Sequence, residues 1–370
     1  MPKVSVILTS FNHAKYLREA IESVLKQTFA DFELLIWDDA SSDNSWEIIA
    51  QYVDPRVKAF RNEEPKRGIW GINKSILEIA SGDYIAIHHS DDAWEAEKLE
   101  KQVAVLDSRP EIGAVFTNAY PIAEDGSPLA DEKHFYASIF DQPNRTRYEW
   151  LRFFFSCGNA LCHPSVLIRK RCYRDCGPYR FGFAQLGDFD MWIRLCLKYE
   201  IHIVSERLIR FRVRDHEANT SGDRKEVRIR SAYEFYKLLS NYRTIRDFSE
   251  FVKVFPSAFK FGRDHEFDLD FALAMVCLEE KPYVCTQLFG LELLFEAISD
   301  PKRATNLKRL YDFDYKSFIE LTAQHDIFYR ADAFQQIITL SNEKEALNKQ
   351  LSILTDTKLI KALRKLKLLR

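Results

Sequence analysis

The sequence predicts an α/β protein: a doubly wound, mostly parallel sheet with helices on its faces, followed by an α-helical C-terminal region. Three observations carry this. Short β-rich runs alternate with helical stretches through the first 120 residues. Two acidic pairs, Asp38-Asp39 and Asp91-Asp92, directly follow strand-like runs, where parallel sheets place their ligands. After Ser221-Gly222 the strand signals fade and helical periodicity takes over.

The elements follow in order. Residues 4–8 form a β-rich run, and 16–27 set Leu17, Ala20, Ile21, Val24 and Leu25 on one helical face. Residues 32–37 make a strand that ends in Asp38, 45–52 a helix, and 57–60 a third strand. Residues 72–80 are helical, 84–88 a strand running into Ser90-Asp91-Asp92, 94–108 a helix, and 114–116 a strand. Asp125-Gly126-Ser127-Pro128 is a turn. A strand at 166–168, a helix at 188–199 and strands at 201–204 and 208–213 complete the β-containing part. Helical patterns continue to about residue 338. Ile337, Leu340, Leu347, Leu351 and Leu354 then recur as in a short coiled coil, which predicts a homodimer. The closing TKLIKALRKLKLLR carries six basic residues and no acid, the pattern of an amphipathic helix drawn to an anionic membrane surface.

Composition excludes several classes. With 53 Lys and Arg against 55 Asp and Glu, no general basic excess exists to grip nucleic acid. Hydrophobic residues at 46% exclude a disordered chain. Apolar stretches such as 271–278 are far too short to span a bilayer. The opening MPKVSVILTSFN lacks the form of an export signal, so seven cysteines read as reduced thiols of a cytoplasmic protein. Cys157, Cys162, Cys172 and Cys176 fit no common zinc spacing and are expected in the core.

Carboxylate pairs at strand ends suit a divalent cation and a nucleotide. Each also has a plain alternative. Asp92-Ala93-Trp94-Glu95 resembles a capping box, Asp39 to Asp43 a turn into a helix, and Asp188 an N-cap. Only their combination points to chemistry.

That combination is Val4-Ser5-Val6-Ile7-Leu8-Thr9-Ser10-Phe11-Asn12, Trp37-Asp38-Asp39-Ala40-Ser41-Ser42-Asp43, Ser81-Gly82-Asp83-Tyr84, Ser90-Asp91-Asp92, His163-Pro164-Ser165 and Gly187-Asp188-Phe189-Asp190-Met191-Trp192. In this order they resemble family 2 glycosyltransferases of GT-A fold, the spore-coat polysaccharide type among them, over residues 3–221. The resemblance implies a nucleotide-sugar-binding catalytic domain at 1–221, a helical domain at 222–335 and a coiled-coil and basic tail at 336–370. It places Thr9, Phe11, Asp39 and Arg67 on the donor base side, Asp91 on the ribose and Asp92 on Mn²⁺ or Mg²⁺. Asp188 matches the general base. His163, Asp190 and Trp192 fall on the acceptor or sugar side, with Asp190 turned to acceptor or to solvent. Arg212, Arg214 and His216 match a diphosphate-side loop, His216 being more simply a solvated side chain. Two departures stand out: many members carry Asp where this chain has His89, and Glu where it has Gly187.

The function implied is inverting, metal-dependent transfer of a sugar from a UDP- or dTDP-linked donor to a glycan or lipid-linked acceptor, in bacterial surface-polysaccharide synthesis. It would act in the cytoplasm or at the inner membrane face. A scaffold that binds nucleotide sugars without turnover is the alternative. A dinucleotide oxidoreductase is excluded, because no glycine follows the first strand in Thr9-Ser10-Phe11-Asn12-His13.

Overall fold

The structure is a computed structural model that describes residues 1–355 except 68, 132–133, 263–265, 281–282 and 329. The basic tail named above therefore lies outside the described residues. The described residues pack as two compact units that divide after Val276.

In the first unit, β1 (Val4–Ser10), α1 (Ala14–Leu25), β2 (Phe32–Asp38), α2 (Ser45–Ile49) and β3 (Val57–Arg61) follow one another. Then come α3 (Trp70–Lys74), which continues as a π-turn to Ile79, β4 (Tyr84–His89), β5 (Ala93–Trp94), α4 (Lys98–Ser108) and β6 (Ile112–Ile122). After these lie α5 (Arg147–Cys157), β7 (Leu167–Arg169), α6 (Lys170–Cys176), α7 (Gly187–Cys196) and β8 (Glu200–Arg212). The helices α8 (Lys225–Leu239), α9 (Phe248–Val254) and α10 (Leu269–Glu279) complete the unit, α10 running past its boundary.

The expected α/β architecture is present as an eight-stranded mixed sheet of order β3-β2-β1-β4-β7-β6-β8-β5. β1 pairs in parallel with β2 and β4, and β6 with β8, while β7 and β5 run antiparallel to their neighbours. Central strands are buried on both faces, which is why 4–8 reads as an apolar run broken only by the buried Ser5. Val4, Val6 and Leu8 face Leu17 and Ile21 of α1 and Leu99 and Val103 of α4 in one core cluster. The other face is covered in part by α3, packed on β1.

Local differences from expectation have clear causes. The helix expected at 94–108 begins at Lys98, because Ala93 and Trp94 pair with Arg210 and Ile209 of β8. The capping box at Asp92 is accordingly absent: the Glu95 N–H donates to the carbonyl of Leu208 instead. Ser81-Gly82, part of the recognisable motif, is a packing device. A Cβ on Gly82 would lie 2.6 Å from the Ser5 nitrogen. Of the cysteines expected in the core, Cys162 and Cys172 are buried but Cys157 is exposed.

No named strand follows β8 among the described residues. The compact division nonetheless falls at Val276, beyond Gly222, because the helices after β8 fasten onto α5. Tyr242 donates to the carbonyl of Leu151 at 2.8 Å, and Phe155 meets the Phe255 ring edge-on. In the second unit α11 (Val284–Ser299) packs on α12 (Pro301–Tyr311) and α13 (Tyr315–Gln324), burying Leu293, Leu294 and Leu307. α14 (Arg330–Thr355) presents Ile337, Leu340, Leu347 and Leu351 on its exposed surface. No helix among the described residues is long and apolar enough to cross a membrane.

Candidate active site

Register brings the strand ends level. Thr9 of β1 stands beside Trp37 of β2 and His89 of β4, so residues 9–12, 38–41 and 89–92 meet along one edge of the sheet. Asn12 and Ala40 both take left-handed backbone conformations there, with φ of 54° and 59°. For alanine that conformation costs about 1–2 kcal/mol, a strain placed next to Asp39.

Asp39 is half-buried and engaged by the loop beyond β3. One carboxylate oxygen accepts from the Asn62 amide at 2.7 Å and the Lys66 N–H at 2.8 Å, the other from the Arg67 N–H at 2.8 Å. Arg67 thus meets Asp39 through its backbone, in a left-handed turn of φ 60°, and its side chain is exposed. Phe11 is exposed beside this edge. Asp38 is buried and structural, accepting from the Ser41 N–H and pairing with Arg61.

Asp92 is 2% exposed. Its Oδ1 accepts the Arg212 N–H at 2.8 Å, while Oδ2 has no hydrogen-bond partner and faces His89 Nδ1 at 3.5 Å. Burial pushes its carboxyl up to about 6, with Asp91 adding to the rise and His89 opposing it. His89, Asp91 and Asp92 bring one donor atom each to within 4.8 Å of one another. A buried carboxylate oxygen without a partner, beside an imidazole and a second carboxylate, suits a divalent cation. His89 is the residue the sequence reading left without a role. Its Nε2 lies 3.2 Å from His163 Nδ1, and His163 Nε2 lies 3.0 Å from the Tyr179 hydroxyl. This chain holds the His89 ring from behind, as outer partners of metal-binding histidines do.

Arg212 is buried and spans the site's floor, reaching the carbonyls of Asp91, Ala123 and Glu124 and the Glu19 carboxylate. Arg214 approaches His13 Nε2 at 2.9 Å, and His216 is exposed.

Asp188 lies in the first turn of α7, after the N-cap Leu186, so it is not the cap. Its Oδ2 accepts from the Asn159 amide at 2.9 Å and its Oδ1 from the Phe189 N–H at 2.7 Å. Burial raises its carboxyl to about 6 against these bonds. His163, the partner of His89, also packs edge-on to Trp192 of α7 with ring centroids 5.8 Å apart, so α7 lies beside the end of β4.

Two expected acceptor-side residues belong elsewhere. Trp192 is fully buried, edge-on to Phe116 at 4.7 Å, and forms core. Asp190 reaches neither acceptor nor solvent: it is fully buried between Arg194 at 2.8 Å and Arg180 at 3.1 Å, with the Asn241 amide at 3.0 Å. Helical spacing turned both inward. Because Asp190→Ala leaves Arg194 buried without its carboxylate, it is expected to lower stability by about 3–5 kcal/mol. A urea melt checks this; a loss below about 1 kcal/mol would contradict a buried pair.

The family model for glycosyl transferase family 2 matches residues 5–169. The chain is 31% identical over 226 residues to UDP-Glc:alpha-D-GlcNAc-diphosphoundecaprenol beta-1,3-glucosyltransferase WfgD of Escherichia coli, covering 61% of this chain and 82% of that protein. This chain belongs to glycosyl transferase family 2. It is a glycosyltransferase, and its mixed sheet is that of a GT-A enzyme. Putative glycosyltransferase EpsE of Bacillus subtilis (strain 168) is 33% identical over 198 residues, 52% of this chain and 66% of EpsE. In fold, the crystal structure of S. aureus TarS 1-349 in complex with UDP-GlcNAc superposes with a TM-score of 0.54 at 17% identity, over 89% of this chain and 92% of that one. That likeness extends the fold match of this family 2 chain well beyond residue 169.

Proposed function

We propose that this glycosyltransferase transfers a sugar from a UDP- or dTDP-linked donor to a hydroxyl of a glycan or lipid-linked acceptor, with inversion and with a divalent cation. The observation that carries the reading is the buried and unpartnered oxygen of Asp92 at the strand edge, together with the raised carboxyl of Asp188 on α7, the helix whose Trp192 packs against the His163 that backs His89. Asp188 takes the proton of the acceptor hydroxyl as its oxygen bonds to the anomeric carbon. The bond from that carbon to the diphosphate oxygen breaks on the opposite face, and its electron pair leaves with the nucleoside diphosphate. A carboxyl near 6 is ionised at neutral pH and still basic enough to accept that proton.

His89, Asp91 and Asp92 would hold Mn²⁺ or Mg²⁺, which when bound offsets charge on the departing diphosphate. Asp91 also serves the ribose, and Thr9, Phe11 and Asp39 the base. Asp39 accepts the imide N–H that uracil and thymine share, and Arg67, whose backbone N–H donates to Asp39, lends its exposed side chain to the donor. His163 serves this site by backing His89 and by bonding to the Tyr179 hydroxyl, on the acceptor or sugar side of the cation. WfgD, by its name, takes UDP-Glc and a diphosphoundecaprenol-linked sugar. That supports a lipid-linked acceptor, and the likeness to a putative teichuronic acid biosynthesis glycosyltransferase supports surface-polysaccharide synthesis. On this reading the enzyme acts at the cytoplasmic face of the membrane, and the exposed apolar residues of α14 pair in a homodimer.

The test is nucleoside diphosphate release from a panel of nucleotide sugars, with Mn²⁺ or Mg²⁺ and with the metal stripped. Release from a UDP- or dTDP-sugar that stops on chelation is expected. Binding of such donors without release under any metal would instead favour the scaffold.

A further inference from the structure

The segment between α6 and α7 leads straight into Gly187-Asp188. Its last residues carry no regular structure, so their backbone N–H groups need acceptors from elsewhere. One side chain supplies three. Glu234, in the middle of α8, is 2% exposed. Its Oε1 accepts from the Ala184 N–H at 2.8 Å, and its Oε2 from those of Gln185 at 2.9 Å and Leu186 at 2.7 Å.

This carboxylate has no ion pair among the described residues. Its charge is met by backbone dipoles, and it faces the positive end of α7, whose N-cap is Leu186. Burying a carboxylate without a cation is costly unless its hydrogen bonds are complete. Here they converge on the residues immediately before Asp188. Asn159 holds the Asp188 carboxylate from another element at 2.9 Å, and the ring of Phe235, next to Glu234, lies 6.2 Å from that of Phe189.

We propose that Glu234 is a positioning residue for Asp188: by clamping the N–H groups of residues 184–186 it sets the direction of the first turn of α7, and so aims the Asp188 carboxylate at the acceptor hydroxyl. The inference rests on the reading of Asp188 as the base. It gives α8, which lies after the last strand, a part in the chemistry without any contact to substrate.

The experiment compares Glu234→Gln, Asp188→Asn and the double variant in the full chain. The amide of Glu234→Gln keeps the size but turns an N–H₂ group toward backbone donors, which opens the clamp. Exchange of the 184–186 amides with deuterium should then rise about 10²-fold or more, as for a locally opened segment. With the carboxylate misaimed by a fraction of an ångström, kcat should fall about 10- to 10²-fold. Affinity for UDP with metal should stay within about twofold, since those groups lie on other elements. The decisive readout is coupling: in the Asp188→Asn background, Glu234→Gln should cost no further factor beyond about twofold. Should Glu234→Gln fail to fold, Glu234→Asp, too short to reach all three N–H groups, is read the same way.

A wild-type kcat despite faster exchange at 184–186 would overturn the proposal. So would losses that multiply in the double variant, because Glu234 would then act independently of Asp188. Failure of the underlying reading shows itself separately, as Asp188→Asn alone transferring sugar at the wild-type rate; that result would remove the base and the clamp's purpose together.

Discussion

Asp188→Asn is expected to slow sugar transfer by about 10² to 10⁴ at saturating donor and acceptor, the usual cost of losing a positioned base. The amide keeps the size of the side chain, and its oxygen can still accept from Asn159 or from Phe189 N–H. Affinity for UDP with metal should change little, because Asp39, Asp91 and Asp92 stand at strand ends and not on α7. pH adds a second mark. Burial has raised the Asp188 carboxyl to about 6, and the active form of a base is the ionised one. The wild-type kcat should therefore fall about tenfold per unit below that value and level off above it. In Asp188→Asn the share of this acid limb that belongs to Asp188 should vanish, leaving only what Asp92, also raised to about 6, contributes.

Stability moves the other way. The folded value lies above the usual 3.8, so ionisation is harder in the folded chain than in the unfolded one. That penalty is full above about pH 6 and gone below about pH 4. At pH 7 the uncharged Asp188→Asn should thus be as stable as the wild type or more so, by an amount on the order of 1 kcal/mol. A slow and stable variant marks a functional carboxylate. A variant that transfers normally would show that the base lies elsewhere, and Asp190, fully buried between two arginines, is not available to replace it.

The second large effect concerns Asp92→Asn. Its remaining oxygen can keep the hydrogen bond from Arg212 N–H, so the joint between β5 and β8 survives. What disappears is the charged, unpartnered Oδ2. Loss of this oxygen should weaken Mn²⁺-assisted UDP binding by about 10²-fold or more, since even outer partners of metal ligands are worth 10- to 100-fold. Melting in the absence of metal should stay near the wild type. The rise in melting temperature on adding Mn²⁺ with UDP, which for a ligand at 100 times its Kd corresponds to about 2.7 kcal/mol, should be lost. Retention of that rise would place the cation away from Asp92.

Much of this site was legible in the chain. Acidic pairs are local features, and each follows a run whose β pattern is also local, so Asp39, Asp91 and Asp92 could be put at strand ends from neighbouring residues alone. Asp188 was legible with the other motifs but not by itself, since one Asp before an apolar helix is more simply a cap. The structure shows that it lies beyond the cap.

Other features depend on which distant segments meet. Asp190 and Arg194 are one helical turn apart, but nothing in that spacing says that the pair is buried, or that Arg180 and Asn241 close around it. β5 became a strand because β8, more than a hundred residues later, offered an edge for Ala93 and Trp94. His89 gained a backing chain only when His163 and Tyr179 were folded against it. Glu234 reads in sequence as an ordinary helix glutamate, and only packing shows it holding the approach to Asp188. The sequence by itself therefore determined the α/β alternation, the strand-end carboxylates and the family. The tertiary structure decided which of the remaining polar groups serve the site and which serve the core, because burial and hydrogen-bond partners are set by contacts between elements far apart in the chain.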